Sequence, residues 1–352
     1  MYLNTQKDTS SNRPLMGAII GFGGVAEHAH APILKRDMRF CIKAIVEPDK
    51  KRANVAREIF PDARVYNDID SLFKNEPLDF IDICTPPAYH AEIILKACKN
   101  RINIICEKPL VTHLKDLERI LQASKEADVL LFCVNNWKYA PIWNKAIELT
   151  NNRLIGEVKK VSLTVLRTPR SGGGITDWRK LRDIAGGGIL MDHGWHHMYF
   201  ISSIIKEEPQ HISARMGYLG SNGSALEDEV SLQIGYGCTT VELYLTWRAS
   251  TRKNFGHIIG EKGEIIIRDD HLILNNNSHS KRYNFSPPLS KGSHHLEWMK
   301  PVINEFFEEL RNTKKRGNNI KEAVTCLHLI CLAYDSQKNG CTPIRVRNIF
   351  NE

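Results

Sequence analysis

A short apolar run near the start of the chain leads directly into glycine-rich sequence. Residues 16–20 read MGAII, and the six residues that follow, here called the glycine loop, are Gly21, Phe22, Gly23, Gly24, Val25 and Ala26. They match the G-x-G-x-x-A pattern, in which glycines allow a tight turn and let the backbone approach a pyrophosphate at a helix N-terminus. Because the pattern lies between a predicted strand and a predicted helix, it indicates a dinucleotide-binding unit.

Strands and helices alternate through the first part of the chain. Apolar runs that are typical of buried strands occur at residues 40–46, 79–84, 102–106 and 129–134. Segments with helical periodicity occur at residues 24–36, 49–59, 88–99 and 112–127. This alternation is typical of a doubly wound parallel sheet with helices on both faces. We therefore predict an α/β fold that begins with a Rossmann domain over residues 16–135.

The pattern changes after this domain. Helices are predicted at residues 137–149, 188–205, 295–311 and 319–336. Strands are predicted at residues 157–167, 210–219, 229–236, 239–247 and 256–267, with turns that include residues 222–223 and 261–263. Adjacent strands joined by short turns indicate a largely antiparallel sheet. We predict a C-terminal α/β domain with an open sheet of this kind over residues 136–352, and a flexible polar tail over residues 1–15.

Composition excludes several classes of protein. The net charge is +8, but Lys and Arg are spread along the chain without a block of like charges, so we predict no nucleic-acid partner. No apolar run has the length of a signal peptide or a membrane span, which predicts a cytoplasmic location and no membrane partner. Nine cysteines form no C-x-x-C pair, and this favours buried free thiols in a reducing compartment.

An acidic residue ends the second predicted strand. Glu47 lies about 20 residues beyond the glycine loop, where a carboxylate accepts hydrogen bonds from the adenosine ribose in dinucleotide-binding domains. The same carboxylate repels a 2′-phosphate, so the residue favours NAD over NADP as the cofactor.

Two further motifs point to a family. Glu107, Lys108 and Pro109 follow the predicted strand at residues 102–106, and residues 186–196 read GGGILMDHGWH at the start of a helix in the second half. Together with the glycine loop, these motifs resemble the Gfo/Idh/MocA oxidoreductases, and the resemblance extends from residue 16 to about residue 345. It implies a nicotinamide-dependent enzyme that acts on sugars or cyclitols, and it implies a homo-oligomer.

The resemblance also assigns roles to individual residues. It implies that Lys108, Asp192 and His196 are catalytic. It implies that the cofactor contacts the glycine loop, Glu47, Glu107, Lys108 and a TPP-x-x-H stretch that supplies Thr85, Pro86 and His90. The residues that it implies for substrate binding, or that flank the catalytic pair, are Lys138, Trp178, Arg179, His193 and His197. Many members have an aspartate three residues after the catalytic histidine, whereas this chain has Tyr199.

The chemistry of these residues agrees with the implied roles. Lys108 follows the carboxyl end of a parallel strand, where open α/β sheets bind their ligands. Asp192 and His196 are four residues apart, so a helix places them on one face. An imidazole can transfer a proton at neutral pH, and an ammonium can polarise a carbonyl or stabilise an alkoxide.

Other interpretations of the same residues are weaker. Asp192, His193, His196 and His197 resemble a set of metal ligands, but adjacent histidines on a helix point apart and no cysteine lies nearby, so we predict no metal. Cys106 is expected to fill the buried strand rather than to act as a nucleophile. His294 and His295 are expected to be exposed at the start of a helix.

The predicted function is that of an NAD-dependent oxidoreductase acting on a hydroxyl or keto group of a sugar, a sugar derivative or a cyclitol. An NAD-assisted glycoside hydrolase and a non-catalytic NAD- and sugar-binding regulator are alternatives, although a regulator needs none of the three catalytic side chains. An anionic substrate is favoured by basic residues near a glycine-rich segment, namely Arg167, Arg170, Arg179, Lys180 and Arg182. Asp177 and Asp183 can neutralise part of this charge, so a neutral sugar stays open.

Overall fold

The computed structural model describes residues 13–169, 177–218, 226–277, 279–292, 294–312 and 314–347. The predicted turn at residues 222–223, Arg170 and the glycine-rich segment 171–174 lie outside these ranges. None of the described residues belongs to a helix that is long and apolar enough to cross a lipid bilayer.

The first sheet has six strands that are all parallel. The strands are β1 (Leu15–Ile20), β2 (Phe40–Val46), β3 (Arg64–Tyr66), β4 (Phe80–Ile83), β5 (Asn103–Cys106) and β6 (Leu131–Cys133). Their order is β3-β2-β1-β4-β5-β6, in which the chain winds outward in both directions from the first strand. The predicted Rossmann sheet is therefore confirmed, although β3 was not predicted.

Helices connect these strands. A π-helical turn at Ala26–His30 leads into α1 (Ala31–Arg36). The helices that follow are α2 (Lys50–Ile59), α3 (Ile69–Asn75), a 3₁₀ turn (Pro87–Tyr89) with α4 (His90–Lys99), and α5 (Leu114–Ala127). Asp49 and Asp68 accept hydrogen bonds from backbone N–H groups in the first turns of α2 and α3, so each acts as an N-cap.

The second sheet is mixed and mostly antiparallel. Its strands are β7 (Val158–Leu166), β8 (His211–Tyr218), β9 (Glu227–Tyr236), β10 (Thr239–Thr246), β11 (Lys253–Gly260), β12 (Gly263–Ile267), β13 (His271–Asn276), β14 (Ser280–Asn284) and β15 (Ile344–Arg345). Their order is β14-β13-β12-β11-β7-β10-β9-β8-β15. Among the described strands of this second sheet, β7 and β10 form the only parallel pair. The predicted antiparallel character is confirmed. The predicted stretch 256–267 is two strands, since the chain turns between Gly260 and Gly263.

Helices of the second half cover this sheet and return to the first one. They are a 3₁₀ turn (Asn136–Tyr139), α6 (Pro141–Asn151), a 3₁₀ turn (Trp178–Lys180), α7 (Arg182–Ala185), a π-helical turn (Leu190–Gly194), α8 (Trp195–Ile204), α9 (Leu296–Arg311) and α10 (Asn318–Lys338). Helix α9 packs on the first sheet: the Phe306 ring lies 5.7 Å from Phe132, 5.9 Å from Phe80 and 6.4 Å from Phe40 between centroids. The domain boundary at residue 136 stays a prediction. Helix α9 follows this boundary in the sequence, yet it packs against the sheet that the residues before the boundary form.

The start of the described chain is part of the fold. The Arg13 guanidinium donates to both carboxylate oxygens of Asp79, at 2.6 and 2.9 Å, and Leu15 is the first residue of β1. This ion pair and the strand hold residues 13–15 of the predicted tail against the first sheet, and residues 1–12 lie outside the described ranges.

Candidate active site

One cleft of about 1210 Å³ contains most of the predicted site residues. Its floor is the carboxyl edge of the first sheet, where the glycine loop and the segments after β2, β4 and β5 meet. Its other wall comes from the second half of the chain, including Asp192, His196 and the residues that follow β7 and β10. This is the position in which open parallel sheets bind ligands.

The glycine loop forms one end of the cleft. Gly21 has a φ of +84°, and a Cβ atom on it would lie 3.2 Å from the backbone nitrogen of Thr85, so a larger residue is strained there. Gly23, Gly24 and Val25 line the cleft as well. These features fit a pyrophosphate that approaches the backbone closely.

Two members of the glycine loop are structural. The Phe22 side chain is buried and packs edge-on against Phe60, with 6.4 Å between ring centroids. Ala26 is fully buried in the same apolar cluster. Neither side chain lines the cleft, so the predicted cofactor contacts of these residues are limited to their backbone.

Glu47 lies beside the glycine loop and is 4% exposed. Its Oε2 accepts from the Phe22 N–H at 2.7 Å, and its Oε1 accepts from the Asp49 N–H at 2.9 Å. The carboxylate therefore fixes the loop and also faces the cleft. Arg52 was missed by the sequence analysis, although it lines the cleft with Nη1 3.8 Å from a Cβ placed on Gly23.

The TPP-x-x-H stretch divides between the cleft and the core. Thr85 and Pro86 line the cleft, whereas His90 is fully buried. The His90 ring lies 2.8 Å from the Thr85 carbonyl through Nε2 and 3.0 Å from the Pro109 carbonyl through Nδ1. Burial lowers the pKa of His90. This histidine therefore links the two loops that carry cleft residues and does not contact a ligand in the cleft itself.

Lys108 and Asp192 meet across the cleft. The Lys108 ammonium donates to Asp192 Oδ1 and to the Asp192 backbone oxygen, both at 2.9 Å. Their side chains are 15% and 27% exposed, so the pair is shielded yet accessible from the cleft. The structure thus brings together two residues that lie on opposite sides of the predicted domain boundary in the sequence.

A buried hydrogen-bond network ends at the backbone N–H of Lys108. His30 is fully buried, with Nδ1 2.8 Å from an Asp82 oxygen and Nε2 2.9 Å from Glu107 Oε1. Glu107 Oε2 accepts from the Lys108 N–H at 3.0 Å. Burial alone would lower the pKa of His30, but the Asp82 carboxylate outweighs it and holds that pKa well above its usual range. His30, which no sequence motif indicated, lies between two carboxylates as an imidazolium.

The ligand atoms of His30, Asp82 and Cys84 lie within 4.8 Å of one another. This spacing suits a metal ion, but burial raises the pKa of the Cys84 thiol to about 12. In the same group the Cys84 sulfur lies 3.6 Å from His30 Nδ1 and 3.8 Å from Asp82 Oδ1, so the thiol is part of the buried network around His30.

His196 lines the same cleft as Lys108 and Asp192. Its Nδ1 lies 2.7 Å from the Tyr199 hydroxyl, and its ring stacks on Trp137 with 4.9 Å between centroids. Burial and the nearby Lys108 charge lower the pKa of His196 well below its usual range. The imidazole is therefore neutral at neutral pH. His193 also lines the cleft, with Nε2 3.7 Å from Asp192 Oδ2.

Two residues predicted to bind substrate lie outside the cleft. Lys138 is directed away from it, because its ammonium donates to Glu322 at 2.9 Å and to Glu305 at 3.2 Å on α10 and α9. His197 is buried in the core, where it contacts Trp143 and lies 2.9 Å from the His193 carbonyl. Both predictions are corrected: an ion pair fixes the first side chain and helix packing fixes the second.

Of the other residues predicted near the substrate, some line the cleft and others do not. Trp178 and Arg179 line the cleft, with the guanidinium 4.3 Å from the Trp178 ring centroid, whereas Lys180 and Arg182 do not line it. The expected exposure of His295 is wrong, because this residue is 7% exposed and stacks on Trp298 at 3.5 Å between centroids. The cleft is also lined by residues for which the sequence predicted no role there, among them Trp247, Arg252 and His295.

Two sequence profiles match this chain. The profile described as "Oxidoreductase family, NAD-binding Rossmann fold" matches residues 16–135. The profile described as "GFO/IDH/MocA C-terminal domain" matches residues 143–266. Together the two profiles span more than half of the chain and include the glycine loop, Lys108, Asp192 and His196.

Individual proteins are similar over comparable lengths. Myo-inositol 2-dehydrogenase of Thermotoga maritima is 27% identical over 272 residues, which make up 73% of this chain and 77% of that protein. A solved oxidoreductase from Agrobacterium radiobacter, in complex with NAD+, L-tartaric acid and magnesium, has a TM-score of 0.82 at 20% identity and covers 94% of this chain and 98% of its own. Aldose-aldose oxidoreductase from Caulobacter crescentus, complexed with glycerol, has a TM-score of 0.81 at 20% identity and covers 95% and 100%. The two structures show a shared fold.

Proposed function

The chain belongs to the GFO/IDH/MocA family of NAD-binding oxidoreductases, and we propose that it transfers a hydride between NAD and a hydroxyl or keto carbon of a sugar, a sugar derivative or a cyclitol. The observation that carries this proposal is the meeting of Lys108, Asp192 and His196 in the cleft that begins at the glycine loop. The relatives support the substrate class, since one is named for an inositol and another for aldoses.

The glycine loop, Glu47, Thr85 and Pro86 would hold NAD, and bound nicotinamide supplies the hydride acceptor or donor. Lys108 stabilises negative charge on the reacting oxygen, because its ammonium is already held in the cleft by Asp192. The network of His30 and Glu107 fixes the Lys108 backbone and so limits where the ammonium can lie.

His196 moves the proton of the reacting hydroxyl. When its Nδ1–H donates to the Tyr199 hydroxyl oxygen, Nε2 is the base that accepts the proton during alcohol oxidation. When the Tyr199 hydroxyl instead donates to Nδ1, Nε2 carries hydrogen and serves as the acid during ketone reduction. One tyrosine can therefore support both directions of the reaction.

The test is NADH formation from a panel of inositols, sugars and sugar acids, followed by absorbance. We expect Lys108→Ala and His196→Ala each to lower kcat by about 10²–10⁴-fold, the usual contribution of positioned proton transfer. NADH affinity, measured by fluorescence, should change little in His196→Ala. His257→Asn is a matched control, because this histidine is paired with Glu264 on β11 and β12 and lies outside the cleft.

Unchanged kcat in both variants would contradict the assigned roles. Release of an aglycone from glycosides, with no net NADH, would instead indicate the NAD-assisted hydrolase.

A further inference from the structure

Arg167 is a buried cation in the substrate end of the cleft. It is 4% exposed and follows β7 at the point where that strand reaches the cleft. Its Nη1 donates to the carbonyls of Leu166 and Lys253 at 2.8 and 3.1 Å, and its Nη2 donates to Asn254 Oδ1 at 2.9 Å. All three acceptors are neutral oxygens, and the buried Nε has no hydrogen-bond partner.

No described residue places a carboxylate oxygen within 4.0 Å of this guanidinium. The undescribed segment that follows it, residues 170–176, reads RSGGGIT and contains no acidic residue. Burial lowers the pKa of Arg167 to about 10, so the side chain remains charged at neutral pH. Buried charges in proteins are normally paired, because an uncompensated charge in a shielded site is costly.

The surroundings add positive charge rather than neutralise it. Arg252 also lines the cleft and repels the Arg167 charge. The nearest acidic groups are engaged elsewhere: Asp192 accepts from Lys108, and Asp269 accepts from the backbone N–H and the side chain of Asn254. This end of the cleft is therefore suited to a negatively charged ligand.

We propose that Arg167, assisted by Arg252, binds a carboxylate on the substrate, so that the substrate is a sugar acid rather than a neutral sugar. The inference rests on the proposed function, since it names the substrate class of the same cleft. A guanidinium has five N–H donors, and three are used by the protein, which leaves the two that a carboxylate needs.

The position of Arg167 also constrains the substrate. Its guanidinium lies 5.8 Å from the centroid of the Trp137 ring, and His196 stacks on that same ring. A carboxylate bound by Arg167 would therefore lie in the part of the cleft that Trp137 lines, as His196 does.

Binding to the NAD-loaded protein tests the inference without turnover. Titration calorimetry would compare D-gluconate with D-glucitol and D-glucuronate with D-glucose, pairs that differ in the acid group. We expect the acid of at least one pair to bind roughly 10- to 100-fold more tightly than its neutral partner, the range of charge-assisted hydrogen bonds. Arg167→Met should weaken binding of the acid more than binding of its neutral partner, so that the preference for the acid is lost.

Matched variants separate this role from a structural one. Arg268→Met is the control, because Arg268 directly follows β12, lies over Phe255 of the same sheet and is outside the cleft. It should keep the acid preference. If Arg167→Met does not fold, Arg252→Met and the loss of preference at high salt decide the question.

Several outcomes would overturn the inference. These are equal binding of acid and neutral partners, an Arg167→Met variant that melts earlier but keeps the preference, and tighter binding of D-glucose 6-phosphate than of the acids. Oxidation of neutral sugars without an acid preference would overturn it and leave the proposed function standing. Arg167-dependent acid binding without any NADH formation would support the inference and contradict the proposed function.

Discussion

Both carboxylate oxygens of Glu47 are bound to backbone N–H groups, one of them in the glycine loop. The side chain therefore combines two effects at the adenosine end of the cleft. Its hydrogen bonds hold the shape of the loop, whereas its charge opposes a 2′-phosphate. Glu47→Gln removes the charge and one of the two backbone hydrogen bonds, whereas Glu47→Ala removes the charge and both bonds, so the two variants together separate these effects.

We expect Glu47→Gln to narrow the preference for NADH over NADPH by about tenfold, since the amide oxygen can still accept one backbone bond. Glu47→Ala should weaken both nucleotides, because the loop loses its support. Fluorescence titration with each nucleotide measures this, with Glu58→Gln on the exposed face of α2 as the control. Tighter NADPH than NADH binding by the unaltered protein would contradict the role of the charge.

Tyr199 stands three residues after His196, where the family resemblance leads us to expect an aspartate. Its hydroxyl accepts from the Trp137 N–H at 2.9 Å and lies 2.7 Å from His196 Nδ1, so it contacts two groups of the site. A tyrosine hydroxyl fixes the imidazole without adding the negative charge of a carboxylate. The lowered pKa of His196 is consistent with this arrangement.

We expect Tyr199→Phe to lower kcat about tenfold and to cost about 1–3 kcal/mol of unfolding free energy, because the buried Trp137 N–H loses its acceptor. Tyr236→Phe is a matched control, since the Tyr236 hydroxyl is buried without a hydrogen-bond partner. In the unaltered enzyme, the proposed base catalysis by His196, whose pKa is lowered, places the acid limb of kcat for alcohol oxidation below pH 6.5. An acid limb above that pH would exclude His196 as the group that titrates.

At the scale of elements, one buried carboxyl group holds the segment that carries Asp192 and His196. Glu227 of β9 is fully buried, and its Oε1 accepts from the N–H groups of Gly188 and Leu190 at 2.8 and 3.1 Å. The Tyr334 hydroxyl of α10 donates to the same oxygen at 2.8 Å. Glu227 therefore caps the π-helical turn before α8 and attaches it to the second sheet.

This arrangement predicts different results for two substitutions. Glu227→Gln should cost about 1–2 kcal/mol, because the amide oxygen keeps the hydrogen bonds of Oε1 while the amide NH2 takes the buried position of Oε2, which has no hydrogen-bond partner. Glu227→Ala should cost about 2–4 kcal/mol and lower kcat, since three buried donors lose their acceptor. Chemical denaturation and kcat would be measured together, and equal losses in both variants would argue against the capping role.

The elements that the sequence predicted well are long or carry apolar runs, such as β2 and α5. The missed strand β3 has three residues, none of them buried, and α3 has only Leu72 in the core. Neither offers enough periodicity for a prediction from the chain alone. Strands β13 and β14 were missed because their polar residues obscure the alternation, and only pairing with β12 makes the hairpin visible.

At the scale of the whole molecule, the site was predictable where a motif fixes the backbone and unpredictable where distant segments meet. The glycine loop, Lys108, Asp192 and His196 belong to motifs, and all contribute to the cleft. Lys138 also belongs to a motif, but Glu305 and Glu322, more than 160 residues away, decide where its side chain lies. Arg252 and His295 reach the cleft through the fold alone.

Buried histidines couple the stability of the whole molecule to pH. Burial lowers the pKa of His90 and His196, and it lowers that of His197 to about 4. In the unfolded chain the histidine pKa values are near 6.5. At pH values between the lowered pKa of each folded histidine and 6.5, the unfolded chain therefore binds more protons than the folded protein. The stabilisation is complete above pH 6.5 and is lost as the pH falls. His30 has a raised pKa, so its contribution is already complete below pH 6.5 and does not offset the loss.

We expect the unfolding free energy to fall steadily from pH 6.5 to pH 4.5, with His197 alone accounting for up to about 3 kcal/mol by pH 4. His197→Asn should reduce the slope by about one proton, because the amide can still donate to the His193 carbonyl but does not titrate. Urea denaturation at several pH values measures the slope, and His257→Asn on the second sheet is the control. An equal slope in His197→Asn and the unaltered protein would contradict this prediction, because it would mean that His197 is already protonated in the folded protein. A protonated His197 buried against Trp143 would need a counter-charge, and the described residues do not supply one.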